Sequence, residues 1–121
     1  MQKPFGYTRS LRLLNAADFQ TVFDQVDVKS PSEHCLLLAR RNELQAPRIG
    51  FIISKKNVKH AVQRNRVKRF SREYIRLNQM TLPALDIILM GRKGIDKLSD
   101  EQLHNLLQKL FEKLVKRASR P

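Results

Sequence analysis

Apolar residues recur with the 3.6-residue period of an α-helix in three stretches of the chain. The first stretch follows Asn15, a residue type that caps helices well, and it extends to about residue 25. The third stretch follows Ser99, which forms a capping box with Gln102, and it extends to about residue 117. The apolar faces predicted for these two helices are Phe19, Val22, Phe23 and Val26, and Leu103, Leu106, Leu107, Leu110, Phe111, Leu114 and Val115.

The second helical stretch is basic, and it is predicted to begin near Asn57 or Lys59 and to end at about residue 79, ahead of Pro83. Its predicted buried stripe consists of Val67, Phe70, Tyr74 and Leu77. The opposite side is polar and almost purely cationic, with Asn65, Lys68, Arg69, Arg72 and Arg76, while Arg64 and Arg66 flank the stripe.

Runs of β-branched and aromatic residues predict strands at 34–41, 48–54 and 86–90. A short edge strand is predicted to end at Val28, before a turn over 29–33. Because only six residues join 34–41 to 48–54, these two strands are predicted to form an antiparallel hairpin. The helix between 48–54 and 86–90 predicts that those two strands pair in parallel.

The elements follow one another in the order αβββαβα, which predicts an α+β sandwich with one small mixed four-stranded sheet packed against three helices. A chain of 121 residues is long enough for one substantial core, so we expect a single domain over residues 1–121. Residues 1–13 show no clear period and carry Lys3, Arg9 and Arg12. We expect them to form an extended, mobile basic arm.

Lysine and arginine outnumber the acids by 24 to 11, which gives a formal net charge of +13. Residues 40–76 alone hold twelve of these cations against Glu43 and Glu73, a net +10. Such a concentrated field predicts a polyanionic partner, with nucleic acid favoured over an anionic membrane surface. No apolar run is long enough to span a bilayer, and the first residues lack the apolar run of a signal peptide, so we expect a cytoplasmic protein.

The residues that carry most enzyme chemistry are scattered. Cys35 is the only cysteine, and its apolar neighbours favour a small core residue. His34, His60 and His104 lie far apart and lack the spacing of a zinc site. The chain also has no glycine-rich phosphate loop and no nucleophile elbow. The sequence therefore predicts a protein that binds a polyanion and has no catalytic set of its own.

The cationic face of the second helix is a more specific signal than the total charge. Arg64, Lys68, Arg72 and Arg76 stand four residues apart, so their like charges repel one another along the helix. An external polyanion relieves this repulsion, and the guanidinium group suits phosphate oxygens particularly well. The helix is therefore predicted to be the main contact with nucleic acid, although charge alone does not choose RNA over DNA.

Two motifs resemble those of a known family. Residues 61–69, Ala-Val-Gln-Arg-Asn-Arg-Val-Lys-Arg, with Ser-Lys-Lys-Asn at 54–57, resemble the signature of the bacterial ribonuclease P protein subunit. Residues 18–23, Asp-Phe-Gln-Thr-Val-Phe, are similar to the helix that borders that family's cleft for single-stranded RNA. The resemblance extends from Leu11 to about Val115 and implies a ribosomal-protein-S5-domain-2-like sandwich with a left-handed crossover.

The resemblance implies a subunit of the enzyme that removes the 5′ leader of precursor tRNA, with the active centre and its Mg²⁺ ions in a large RNA subunit. It implies that the protein alone binds no cofactor or metal and needs no obligate protein partner. The residues implied to contact the ribonuclease P RNA are Arg64, Asn65, Arg66, Lys68, Arg69, Arg72 and Arg76. Those implied to form the cleft for the leader of precursor tRNA are Phe19, Phe23, Leu36, Leu38, Lys55, Lys56 and Arg12.

The chain departs from the family pattern at two places, and two other functions stay open. Leu36 and Leu38 stand where some relatives have an aromatic residue, which leaves apolar contact without stacking. Ser71 stands where an apolar residue or threonine is common, which predicts weaker packing of the helix. A small ribosomal or assembly protein that binds rRNA fits the same charge pattern, and a basic membrane-surface protein is the third alternative.

Overall fold

The computed structural model describes residues 14–42, 44 and 46–119, so the predicted basic arm and Arg12 lie outside the described residues. The predicted α+β order, αβββαβα, is confirmed. A short 3₁₀ turn, Ile95–Lys97, precedes the last helix. The helices are α1 (Ala16–Asp24), α2 (Ala61–Asn78) and α3 (Asp100–Ala118), and the strands are β1 (Val28–Pro31), β2 (Cys35–Arg41), β3 (Arg48–Ile52) and β4 (Leu85–Gly91).

Helices α1 and α3 begin at the predicted caps. The Oδ1 atom of Asn15 accepts a hydrogen bond from the Asp18 backbone N–H at 2.9 Å, and Asp18 Oδ2 accepts one from the Asn15 N–H at 3.0 Å. Ser99 and Gln102 form the same reciprocal pair at the start of α3. Each capping box satisfies N–H groups that the first turn leaves without a helical partner.

Helix α2 begins later than predicted, at Ala61, and its N-cap residue His60 makes no side-chain cap. The preceding residues form a turn in which the Val58 N–H donates to the Ser54 carbonyl at 2.9 Å. Val58 is fully buried and so anchors this turn to the core. The turn sets where the basic helix leaves the sheet.

The four strands form one mixed sheet in the order β1-β2-β4-β3. Strand β4 pairs in parallel with β3, as predicted, and antiparallel with β2. The predicted hairpin between β2 and β3 is therefore wrong, because β4 lies between them. Six of the seven residues of β4 are buried, so a central position pairs both of its edges and covers side chains on both of its faces.

Strand β1 lies later in the chain than predicted, since it begins at Val28, where the predicted strand ended, and includes Pro31 within the segment expected to be a turn. It pairs antiparallel with β2 and forms one edge of the sheet. An edge is where a strand accepts proline, because the missing N–H then points away from the ladder. The hydroxyl of the buried Ser30 donates to the Leu110 carbonyl of α3 at 2.9 Å and ties this edge to the helix layer.

Helices cover both faces of the sheet. On one face, α2 and α3 pack over the main core, where the Tyr74 and Phe111 rings stack with their centroids 4.9 Å apart. On the other face, α1 packs through the fully buried Val22. Helix α1 has only nine residues, and the apolar side chains around its cluster stay partly exposed. This second face is therefore partly open.

The buried line of α2 is rotated relative to the predicted stripe. Its fully buried residues are Val67, Ser71 and Ile75, which repeat every four residues. Leu77 was predicted to be buried and is instead 57% exposed, because it lies past the edge of that line. The Ser71 hydroxyl donates to the Val67 carbonyl at 2.8 Å, so this small polar side chain is buried with its hydrogen bond made.

Candidate nucleic-acid interface

The outward face of α2 presents part of the predicted RNA-binding set. Asn65, Arg69 and Arg72 are exposed, and Lys68 is half-buried. Among the described residues, none of these three cations forms an ion pair. The Arg69 guanidinium lies 5.5 Å from the centroid of the Phe70 ring, a cation–π contact that steadies the side chain without neutralising it.

Two other cations of α2 have partners close to the helix. Arg64 Nη1 donates to the carbonyls of Val58 and Lys59, at 2.9 and 3.0 Å, and so fastens the preceding turn to the first turn of the helix. Arg76 pairs with Glu73, and the distance from Arg76 Nε to Glu73 Oε1 is 3.0 Å. These contacts reduce the repulsion that the four-residue spacing creates along the helix.

Arg66 lies between α2 and the start of α3. Its Nη1 donates to Asp100 Oδ1 and its Nη2 donates to the Leu98 carbonyl, both at 2.7 Å. Its side chain is only 13% exposed. The Arg-Asn-Arg motif therefore divides by geometry: Asn65 points outward, whereas Arg64 and Arg66 hold neighbouring segments against the helix.

A groove of about 190 Å³ opens between α1, β3 and α2. Strand β3 has glycine at position 50 here, because a Cβ atom on Gly50 would lie 2.9 Å from Phe19 Cε1 and 3.1 Å from Leu14 Cβ. The Phe19 ring therefore rests directly on the β3 backbone. The residues that line the groove are Leu14, Phe19, Gly50, Phe51, Lys68 and Arg72.

This groove brings together residues that the family resemblance assigned to two different RNAs. Phe19 was predicted to contact the leader, whereas Lys68 and Arg72 were predicted to contact the ribonuclease P RNA. The Arg72 guanidinium lies 5.8 Å from the centroid of the Phe51 ring, on β3. Aromatic faces and cations thus line one depression, the combination that binds unpaired nucleotides.

The open part of the sheet continues this surface. Leu36, Met90 and Ile52 lie side by side across β2, β4 and β3, and all three are partly exposed. They lie toward the carboxyl end of β3, which leads to the exposed Lys55 and Lys56. We call the surface formed by this row, the groove and the adjoining face of α1 the α1 cleft.

The remaining predicted cleft residues differ in accessibility. Phe23, on α1, is 42% exposed and is therefore available to a ligand. Leu38 is only 7% exposed because it packs beneath α1 with Ile88, so it supports the cleft from below.

The lining residues that sequence reasoning missed are Phe51, Ile52 and Met90. Lys55 and Lys56, which follow β3, were the signal in the sequence that this strand lies near the cleft. Which of its side chains face the cleft could not be predicted, because strand alternation assigns side chains to a face of the sheet only once the strand pairing is known.

The described residues contain no group of three or more histidine, cysteine, aspartate and glutamate side chains placed to hold a metal ion. Burial raises the pKa of the Cys35 thiol to about 12, although the charge of Arg92 works in the opposite direction. A thiol of that acidity stays protonated at neutral pH and is a poor nucleophile. Within the described ranges, no helix is both long and apolar enough to cross a membrane.

Comparisons with known proteins identify the family of this chain. A sequence model of the Ribonuclease P family matches residues 7–115. The chain is 48% identical over 114 residues to the ribonuclease P protein component of Pseudomonas aeruginosa, which covers 94% of this chain and 84% of the relative. It is 46% identical to that of Idiomarina loihiensis, over 97% of this chain and 94% of the relative.

Solved structures give the same answer. The Staphylococcus aureus RNase P protein superposes with a TM-score of 0.77 at 26% identity, over 93% of this chain and 99% of that one. The Thermotoga maritima RNase P protein superposes with a TM-score of 0.71 at 26% identity, over 87% and 96% of the two chains. These matches do not favour the ribosomal alternative. The chain therefore belongs to the ribonuclease P protein component family and is a protein subunit of that endoribonuclease.

Proposed function

We propose that this subunit contacts two RNAs at once. The exposed face of α2 binds the ribonuclease P RNA, and the α1 cleft binds the 5′ leader of precursor tRNA. Mature tRNA has lost its leader and cannot use the cleft. The subunit therefore helps the precursor to compete with the product for the same enzyme.

The observation that carries this proposal is the meeting of Phe19 and Phe51 with Lys68 and Arg72 in one groove. Sites for unpaired nucleotides combine aromatic faces, on which bases stack, with cations that neutralise the phosphates. Stacking contributes about 1–3 kcal/mol per base and demands no particular base. A cleft of this kind accepts leaders of different sequence.

The polar and cationic side chains of α2 have different parts in this proposal. Asn65 and Arg69 face the ribonuclease P RNA, while Lys68 and Arg72, at the groove, serve both RNAs. The more enclosed cations, Arg64, Arg66 and Arg76, add to the positive field and orient the helix through the contacts described above. If six to ten phosphates are neutralised, affinity falls by about 10³- to 10⁵-fold between 50 and 200 mM salt.

We further propose that cleavage takes place in the RNA subunit, which holds the Mg²⁺ ions, and that the particle acts in the cytoplasm without an obligate protein partner. The protein contributes binding and charge. Its net charge of +13 lowers the repulsion between two RNAs that must lie against each other. This role requires exposed cations and a cleft, both of which the chain has.

Reconstitution tests the proposal. The purified protein is added to a bacterial ribonuclease P RNA at a low Mg²⁺ concentration, with 5′-labelled precursor tRNA as substrate. We expect release of the leader only when protein and RNA are both present. Tight RNA binding without any stimulation would overturn the proposal, and co-sedimentation with ribosomal subunits would then favour rRNA as the partner.

A variant pair tests the cleft. Phe19→Ala is expected to weaken binding of precursor tRNA to the reconstituted enzyme by about 5- to 150-fold, the loss of one stacked base, and to spare mature tRNA. Leu77→Ala removes a 57% exposed apolar side chain of α2 that does not line the groove and should change neither affinity. Equal losses for precursor and mature tRNA would mean that Phe19 supports only the fold.

A further inference from the structure

We propose that Arg48 is a positioning residue for the leader: it ties α1 to the centre of the sheet and thereby sets the place of Phe19 in the α1 cleft. This inference rests on the proposed function of the cleft. Arg48 is the first residue of β3, two residues before Gly50, on which the Phe19 ring rests. Strand β3 therefore contacts two consecutive residues of α1: Gly50 lies under the Phe19 ring, and Arg48 contacts Asp18.

The anchor of this arrangement is Asp86, on β4. Arg48 and Asp86 form a bidentate salt bridge: Arg48 Nε donates to Asp86 Oδ1 at 2.8 Å, and Arg48 Nη2 donates to Asp86 Oδ2 at 2.7 Å. Asp86 has 3% of its surface exposed, and its Oδ1 also accepts a hydrogen bond from Asn42 Nδ2 at 2.8 Å. A buried carboxylate with three such bonds fixes the orientation of the guanidinium plane.

The second partner of Arg48 is Asp18, on the first turn of α1. The remaining edge of the Arg48 guanidinium reaches the two Asp18 oxygens at 3.3 and 3.4 Å. Asp18 Oδ2 also accepts the hydrogen bond from the Asn15 N–H that completes the capping box. Arg48 thus binds the Asp18 carboxylate that also takes part in the capping box of α1, one residue before Phe19.

The charges agree with this geometry. The hydrogen bond to Asp86 raises the pKa of the Arg48 guanidinium, and the charges of Asp86 and Asp18 act in the same direction, while burial lowers it. The guanidinium is therefore charged at any working pH. The distances separate the two halves of the network, since the bonds to Asp86 are short and those to Asp18 are longer. The contact with Asp18 can be altered without dismantling the core.

Asp18→Asn is the sharpest test, because it removes the ion pair and keeps the size and the oxygen acceptor of the capping box. Asp24→Asn is the matched control: Asp24 lies on the same helix and is exposed, and within the described part of the chain its carboxylate accepts a hydrogen bond only from Gln20 Nε2. Both variants remove one negative charge from α1. If only charge mattered, both variants would bind RNA as tightly as the wild type or slightly more tightly.

The positioning role of Arg48 predicts instead that Asp18→Asn weakens binding. In the reconstituted enzyme, Asp18→Asn should bind precursor tRNA about 3- to 10-fold more weakly, part of the loss expected for a whole base stack, with mature tRNA unaffected. The dependence of its affinity on salt should keep the wild-type slope, because no phosphate contact is removed. Asp24→Asn should match the wild type. Thermal unfolding is measured beforehand and sets an assay temperature at which both variants are folded.

The outcomes separate this inference from the function on which it rests. If the wild type does not distinguish precursor from mature tRNA, the leader cleft itself is refuted. If the wild type prefers the precursor and Asp18→Asn keeps that preference, only the positioning role is refuted. Arg48→Lys is the second variant: it keeps the charge but cannot contact both carboxylates with a planar fork, so it should also lose preference for the precursor.

Discussion

Replacing Arg66 separates stability from RNA binding more clearly than any other change in α2. Its guanidinium makes two charge-assisted hydrogen bonds at 2.7 Å, to Asp100 and to the Leu98 carbonyl. Each such bond contributes about 1.5–3 kcal/mol, but the buried Arg66 Nε has no partner among the described residues, which offsets part of the gain. The Leu98 carbonyl would lose its bond in Arg66→Ala.

These terms give a net loss of about 1–3 kcal/mol in the free energy of unfolding for Arg66→Ala. For a domain of about 100 residues, this corresponds to a fall in Tm of roughly 5–15 °C. Arg69→Ala is the matched variant, because it removes the same charge three residues further along from an exposed position. It loses only the contact with the Phe70 ring, about 0.5–1 kcal/mol at an exposed site.

RNA binding should rank the two variants in the reverse order. Binding to ribonuclease P RNA is measured over a series of salt concentrations, at a temperature where both variants are folded. Arg69→Ala should lower the slope of log K against log salt by about one, the effect of one lost phosphate contact, and Arg66→Ala should leave it nearly unchanged. If Arg66→Ala keeps the wild-type Tm and loses the slope, the reasoning is refuted and Arg66 contacts RNA directly.

Three other predictions follow from single side chains. Gly50→Ala should push the Phe19 ring off the strand, cost about 1–3 kcal/mol in denaturant unfolding and reduce binding of precursor tRNA; unchanged values of both would contradict the contact. Ser71→Ala should change stability by less than about 1 kcal/mol in the same assay, because its hydroxyl bonds only to a carbonyl of its own helix; a larger loss would show that the buried hydroxyl matters to packing. The raised pKa of Cys35, about 12, means that its stabilising effect is complete below pH 9, the ordinary pKa of the thiol, and is lost as the pH rises from 9 toward 12. The free energy of unfolding, measured at a series of pH values between 9 and 12, should therefore fall less steeply with pH for Cys35→Ala than for the wild type. The same pH dependence in both proteins would contradict the raised pKa.

Much of the local structure could be predicted from the sequence. The caps at Asn15 and Ser99 and the apolar period of the first and last helices located α1 and α3 within about a residue or two, because helix ends depend on neighbours three and four positions away. The parallel pairing of β3 with β4 also followed from local order, since a helix joins them. The cationic face of α2 and its polyanionic partner followed from residue types alone.

The pairing of β2 with β4 could not be predicted from the connection lengths. Strand order depends on which strand has apolar side chains to bury on both faces, and this makes β4 central although β2 and β3 are closer in sequence. The rotation of α2 has a similar cause. Its buried line passes through Ser71, and Leu77 is left exposed, because the side of a helix that faces the core is set by the elements packed against it.

The sequence by itself therefore determined the elements, the sign and concentration of the charge, and the motif that identifies the family. These properties depend on residue type and on spacing within one or two helical turns. Only the tertiary structure decided that Arg66 turns inward to α3, that Phe51 joins Phe19 beside Arg72, and that Arg48 links Asp18 to Asp86. Each of these contacts joins residues far apart in sequence, and their distances are set by how the sheet and its two helix layers pack.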